Sequence, residues 1–233
     1  MAIILRATKG AELTIEELDG NFDYLEKNPN GILIPKTQNK GILIDPDSPD
    51  FGWADILGTV FVEAANPTAA GFNTYKGGLK GYQFNVGDEA HVNFHIPHDY
   101  VMGSDMYIHV HWSHNSTLVT GGSVTWGIEL SYAKGHDQEV FGDNKTVLIT
   151  ENASLSQYRH MIAEEQMSIP GGAAAMLDTD LIEVDGIIMC RLFLSSNDMT
   201  SSGAVPDPFA HFVDIHYQST GVGTKQKAPD FWT

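Results

Sequence analysis

One cysteine, Cys190, stands in 233 residues, so no disulfide can close within the chain and the fold must be held by its core. Cys190 lies in the apolar run GIIMCRLFL, the setting of a buried small hydrophobe rather than a nucleophile. Basic residues are scarce, 13 Lys and Arg against 30 Asp and Glu, for a formal net charge of −17. That balance argues against a phosphate-tracking groove, because nucleic-acid affinity rests on Lys and Arg neutralising phosphates, and no nucleic-acid partner is expected. No apolar run approaches the roughly 20 residues that cross a bilayer, so no membrane insertion is expected. The opening MAIILRATKGAEL lacks the apolar core and small-residue cleavage site of a secretory signal, which points to synthesis and folding in a cytoplasm. Catalytic signatures are also missing. There is no Gly-x-Ser-x-Gly elbow, P-loop, HExxH or dinucleotide fingerprint, and KGGLKG at 76–81 lacks the Lys-Ser/Thr ending of a phosphate loop.

What is present begins with a helix. TIEELDGNFDYLEK places Thr14 three residues before Glu17, the spacing of a capping box, and Ile15, Leu18, Phe22 and Leu25 recur at helical spacing. An amphipathic helix of about three turns is too short to stand alone, so its apolar stripe needs a docking surface. GILI then occurs twice, at 31–34 and 41–44, as short β-segments or an extended arm, before the linker-like DPDSPDFG. Residues 1–50 are thus expected to form an anchoring or interlocking segment, and 51–233 a separate domain.

From Trp53 onward the period is two. Val124, Trp126, Ile128 and Leu130 share one face of SVTWGIELSY; Ala90, Val92, Phe94 and Ile96 do so in EAHVNFHI. Met106, Ile108, Val110 and Trp112 follow suit in MYIHVHW, and Val213, Ile215 and Tyr217 in HFVDIHYQS. IIMCRLFLS is apolar on both faces, as a central strand is, and SLSQYRHMIAEEQMSI reads as strand although helical spacing fits parts of it. AAAMLDTDL reads as a short helical turn. Alternating segments parted by Gly, Pro, Asn and Asp predict a mainly β protein: an antiparallel β-sandwich of jelly-roll type behind the short N-terminal helix and arm.

The histidines fall between the apolar positions. His109 and His111 lie on the face of their strand away from the core, and His91 and His95 repeat the arrangement one strand earlier. With PHDYVMGSD as a hairpin loop, all four would share one His-rich sheet face. Three readings compete: a polar face bathed in solvent or covered by a subunit, a metal site built on His109 and His111, and a pH-responsive interface. In the metal reading Glu129 is the nearest candidate for a supporting carboxylate. A cupin enzyme would use a His-x-His, but Glu129 follows only after a long gap, and adjacent Glu164 and Glu165 point to opposite faces of a strand.

LRATKGAELTIEELDGNFDYL resembles a motif near the N-termini of bacteriophage tail-fibre and other virion-attached proteins, matched at Lys9, Gly10, Leu13, Thr14, Glu17, Leu18, Asp19, Asn21 and Phe22. FHIPHDYVMGSDMYIHVHWSHN, VTWGIELSYAKG and HFVDIHYQSTGVGTKQKAPDF resemble a family of phage structural-type proteins across most of 53–231. The resemblance implies a non-enzymatic virion protein, a trimeric tail or neck fibre or appendage, made in the host cytoplasm and ending in the virion. Its partners would be two further copies of itself and other tail, neck or capsid proteins, with Leu13, Leu18, Phe22 and Leu25 as the anchoring residues. A capsid decoration protein and a host-glycan-binding module are the alternatives. No cofactor is expected beyond a metal ion that His109 and His111 would hold on the trimer axis, as His-x-His motifs do in phage fibre tips.

Overall fold

The structure is a computed structural model that describes residues 12–16, 18, 51–61 and 68–231. The chain divides into two compact units, 1–51 and 52–233. In the first, Ile15, Glu16 and Leu18 are helical, and the Leu18 N–H donates to the Thr14 carbonyl at 3.0 Å. Leu13 is half-buried and Leu18 exposed, while Phe22, Leu25 and both GILI copies lie outside the described residues.

The second unit is almost wholly β. In chain order its strands are β1 (Gly52–Phe61), β2 (Gly71–Lys76), β3 (Leu79–Gln83), β4 (Glu89–His95) and β5 (Tyr107–Ser113). Then follow β6 (Val119–Gly121), β7 (Ser123–Ala133), β8 (Lys145–Asn152), β9 (Met161–Gln166) and β10 (Ser168–Ile169). The last are β11 (Leu177–Asp178), β12 (Ile187–Asn197), β13 (Thr200–Ser201) and β14 (Phe209–Ser219). The expected helical turn is a 3-10 turn at Thr179–Leu181, capped by the Asp178 side chain, which accepts from the Asp180 N–H.

Two antiparallel layers make a sandwich. One carries β9, β5 and β14, with β3 and β2 at one end of β14 and β1 along the other; the second runs β1, β4, β12, β7, β8. β1 belongs to both, pairing β14 through Gly52–Gly58 and β4 from Thr59. Gly58 stands at that change of partner. A Cβ there would come within 2.3 Å of Val92 and 2.5 Å of Phe94, so the crossing strand can lie this close to β4 only without a side chain.

The alternation explains the core. Ile108, Val110 and Trp112 of the first layer and Val92, Phe94, Trp126, Ile128, Ile188 and Leu192 of the second are all buried, and Trp112 meets Trp126 across the layers at 6.3 Å. Cys190 is buried within it, and burial pushes its thiol pKa up. β12 is central, between β4 and β7, as its apolar composition requires.

The expected β4–β5 hairpin does not form. β4 pairs with β1 and β12, whereas β5 pairs with β14 and β9 in the other layer. The backbone between them is spent elsewhere. The Val101 N–H donates to the Gln218 carbonyl, and Asp99 accepts from Tyr217 and Ser219 on β14, so the connection crosses the end of the sandwich instead of turning back. His91 and His95 therefore do not share a sheet face with His109 and His111.

Candidate functional site

The outer face of the β9–β5–β14–β1 layer gathers most of the chemistry. Register sets its rows: Ile162, His111 and Phe212; then Glu164, His109, Asp214 and Leu57; then Gln166, Tyr107, His216 and Asp55. His109 and His111 were expected on the face away from the core, bathed in solvent or covered by a subunit, a metal or another interface. They do lie away from the core, but they are only 2% and 7% exposed, because residues on both flanking strands close over them. Phe212 stacks on the His111 ring at 3.9 Å and 17°, His160 lies beside that ring with its Nε2 hydrogen-bonded to His111 Nδ1 at 2.7 Å, and the His216 ring packs edge-on against His109 at 3.7 Å.

Asp214 sits at the centre, 2% exposed. Its Oδ1 is 3.0 Å from His111 Nε2 and 3.8 Å from His109 Nδ1, and its Oδ2 is 3.9 Å from His216 Nε2. Among the described residues its ion-pair partners are all histidines. His109 Nδ1 is buried without a hydrogen-bond partner, a costly state that buried polar atoms avoid unless something else satisfies them. His109 Nε2 is hydrogen-bonded to Glu164, and His216 Nε2 lies 2.6 Å from Asp55 Oδ1. Burial holds the His111 imidazole below the ordinary histidine pKa; Asp214 opposes this, and nearby His160 and His109 reinforce it. His109, Asp214 and His216 each offer a ligand atom, and these atoms lie within 4.8 Å of one another.

At the end of the same face, the bulge between Ala210 and Phe212 turns His211 aside, where its Nε2 meets the buried Ser113 Oγ at 2.7 Å. Tyr75 shares that hydroxyl at 2.7 Å. His211 is exposed overall, but desolvation of its ring lowers its pKa, and His160 and His111 lower it further.

The second layer treats its histidines differently. His91 and His95 are exposed on β4. His95 joins His98 and His136 around Asp185, with Nε2 atoms 3.2, 2.9 and 2.8 Å from its carboxylate. Asp185 holds a left-handed φ of 61°, an uncommon conformation for a residue with a side chain. Partial burial pushes its carboxyl pKa up, but the hydrogen bond to His136 and the charges of His98 and His95 outweigh that and hold it low. Glu129 is far from supporting His109: it accepts from Arg191 Nε at 2.8 Å, and Arg191 reaches Glu89 at 2.9 Å.

Sequence reasoning missed Asp214, His216, Glu164 and His160 as companions of the His-x-His pair. The signal for two of them was present, since a strand that turns Val213, Ile215 and Tyr217 inward turns Asp214 and His216 outward. Nothing in the sequence said that β14 would be the neighbour of β5.

Three apolar side chains lie open on this face or its edge: Trp53 at 55%, Leu57 at 71% and Ile162 at 45% exposure. Trp53 meets Tyr107 edge-on at 5.6 Å.

No protein-family model and no curated protein matches the chain. Among solved structures it is similar to the CBM22-1–GH10 modules of endo-1,4-β-D-xylanase 10B from Clostridium thermocellum, solved with xylohexaose. There the identity is 15% and the TM-score 0.33, over 75% of this chain and 28% of that one. It is also similar to CBM35 of Abf62 from Cellvibrio japonicus, at 12% identity and TM-score 0.25, over 70% of this chain and 98% of that one. The chain thus spans less than a third of the xylanase structure it matches.

Proposed function

We propose that the chain is a non-enzymatic structural component of a phage particle, a trimeric tail or neck appendage whose N-terminal segment attaches to the virion and whose sandwich faces outward. The observation that carries this reading is the dense match of Lys9 to Phe22 to the attachment motif, set in a unit separate from the β-domain. Trp53, Leu57 and Ile162 on one sheet face support it, because exposed apolar side chains gathered on one face mark a contact surface. Attachment is assigned to Leu13, Leu18, Phe22 and Leu25, and the homotrimer follows from the phage resemblance.

Removing residues 1–28 is the test. The truncated chain should remain folded and soluble yet fail to enter particles assembled in its presence. Normal incorporation would overturn the attachment role, and loss of folding would overturn the two-part organisation.

A second reading has its own observation. The Trp53–Tyr107 pair beside Asp55 and Gln218 offers an aromatic platform edged with polar groups, the chemistry that recognises sugar rings. A host-glycan-binding module predicts saturable binding to cell-surface polysaccharide that Trp53→Ala removes. A purely structural appendage or capsid decoration protein binds none.

A further inference from the structure

We propose that each chain holds one divalent transition-metal ion of the zinc class, between His109 on β5 and Asp214 and His216 on β14. The inference stands apart from the phage reading and rests on four features of this sheet face.

The first is convergence: one ligand atom from each of the three residues, all within 4.8 Å of one another. The second is unmet demand. His109 Nδ1 is buried without a hydrogen-bond partner and faces Asp214 Oδ1 at 3.8 Å, an oxygen that also lies 3.0 Å from His111 Nε2. The 3.8 Å gap is too long for a shared proton. Ligands about 2.0–2.1 Å from a tetrahedral zinc stand about 3.4 Å apart, so the His109–Asp214 pair closes on an ion with a shift of tenths of an ångström, and His216 closes in from farther.

The third feature is orientation. His109 Nε2 is engaged by Glu164, so the ring turns its other nitrogen, Nδ1, toward the Asp214 carboxylate. The fourth is support from outside the ligand set. Glu164 on β9 backs His109, the carboxylate–histidine arrangement that orients metal ligands, and Asp55 on β1 adds a further carboxylate 2.6 Å from His216 Nε2. Two imidazoles and one carboxylate select borderline ions over Mg²⁺ or Ca²⁺, which prefer oxygen throughout. Held this way, the ion ties β5 to β14 and, through Glu164, to β9. The ligands all belong to one chain, so the site does not need the trimer axis that the His-x-His resemblance implies.

The Asp185 cluster is the internal contrast. Its three histidines already direct Nε2 at that carboxylate, so their geometry is satisfied without an ion.

The test is titration of the chelator-stripped, tag-free full chain with ZnCl₂, and with MgCl₂ for comparison, followed by calorimetry and native mass spectrometry. All ten histidines are among the described residues, so variants can account for every imidazole. Saturable uptake of one Zn²⁺ per chain is expected, with none of Mg²⁺. His216→Ala, at a half-exposed position, should abolish it. Glu164→Gln should weaken it about 10–100-fold without touching the ligands. The double variant His95→Ala/His98→Ala should bind as the parent does. Circular dichroism of each variant separates lost binding from lost folding. The proposal is overturned if the parent chain takes up no zinc, if one ion serves three chains, or if folded His216→Ala and Glu164→Gln bind as the parent does. It is equally overturned if only the His95/His98 variant loses uptake.

Discussion

β4 and β5 read almost alike, EAHVNFH and YIHVHWS, each alternating apolar residues with histidines, yet one leaves its histidines in solvent and the other buries them. Their inner faces have the same fate, with Val92 and Phe94 as deeply buried as Val110 and Trp112. The outer faces diverge through their neighbours. Beside β4 lie Met189 and Arg191 of β12, half open to water. Beside β5 lie Phe212, Asp214 and His216 on one flank and Ile162 and Glu164 on the other, large groups that close over the imidazoles. Period two decides which residues share a face; what covers the face is decided by strands distant in sequence.

The largest expected effect tests where the two strands agree. Phe94→Ala on β4 and Trp112→Ala on β5 should each cost about 3–5 kcal/mol in urea unfolding, since both leave a large cavity in one shared core. A small cost at either position would mean that the layers do not pack on a common interior.

The next tests where they differ. His111→Ala strips a ring that stacks on Phe212 and is hydrogen-bonded to His160, and it leaves the buried Asp214 carboxylate with one neighbour fewer, for an expected loss of about 1–3 kcal/mol. His91→Ala, on the open face, should change stability by no more than about 0.5 kcal/mol. Equal losses in urea titrations of the two variants would break the contrast.

Acidification should separate the faces again. His111, which is buried, and His211, whose ring is desolvated although the residue is exposed, have depressed pKa values, so once the pH falls below the ordinary value of about 6.5 the unfolded chain binds more protons than the folded one. Their contribution is whole above that pH and is lost as the pH falls through the lowered folded values. The urea midpoint should therefore drop between neutral pH and pH 5, and less steeply in His211→Gln, which retains a donor for Ser113. A midpoint as pH-sensitive in His211→Gln as in the parent chain would remove His211 from the account.

Much of this was legible beforehand, for a definite reason. Burial on a strand follows local alternation, so Ile108, Val110, Trp112, Trp126 and Ile128 could be placed inward from sequence alone, and the antiparallel sandwich with them. The site was legible only in halves. His109-x-His111 and Asp214-x-His216 each showed as an outward pair, but β5 and β14 are far apart in the chain, and no local rule fixes their register. The false hairpin had the same origin. PHDYVMGSD has turn composition, and only the hydrogen bonds of Val101 and Asp99 to β14 reveal that it bridges two layers.

The smallest expected effect concerns the open face alone. Arg191 holds Glu129 at 2.8 Å and Glu89 at 2.9 Å and lies over the Phe193 ring at 4.8 Å, on the same β12 surface that flanks His91. Geometry this good would be worth a great deal in a dry site, but the side chain is 37% exposed, and water and salt screen an ion pair of that kind. Arg191→Met keeps the aliphatic packing and removes the charge, so it should cost at most about 1 kcal/mol, shrinking further in high salt. The same rise in salt should leave the cost of His111→Ala almost unchanged, because Asp214, His109 and His111 are shielded from solvent. Equal salt sensitivity at the two positions would mean that the β5 face is as wet as the β4 face, and the difference between them would be one of shape alone.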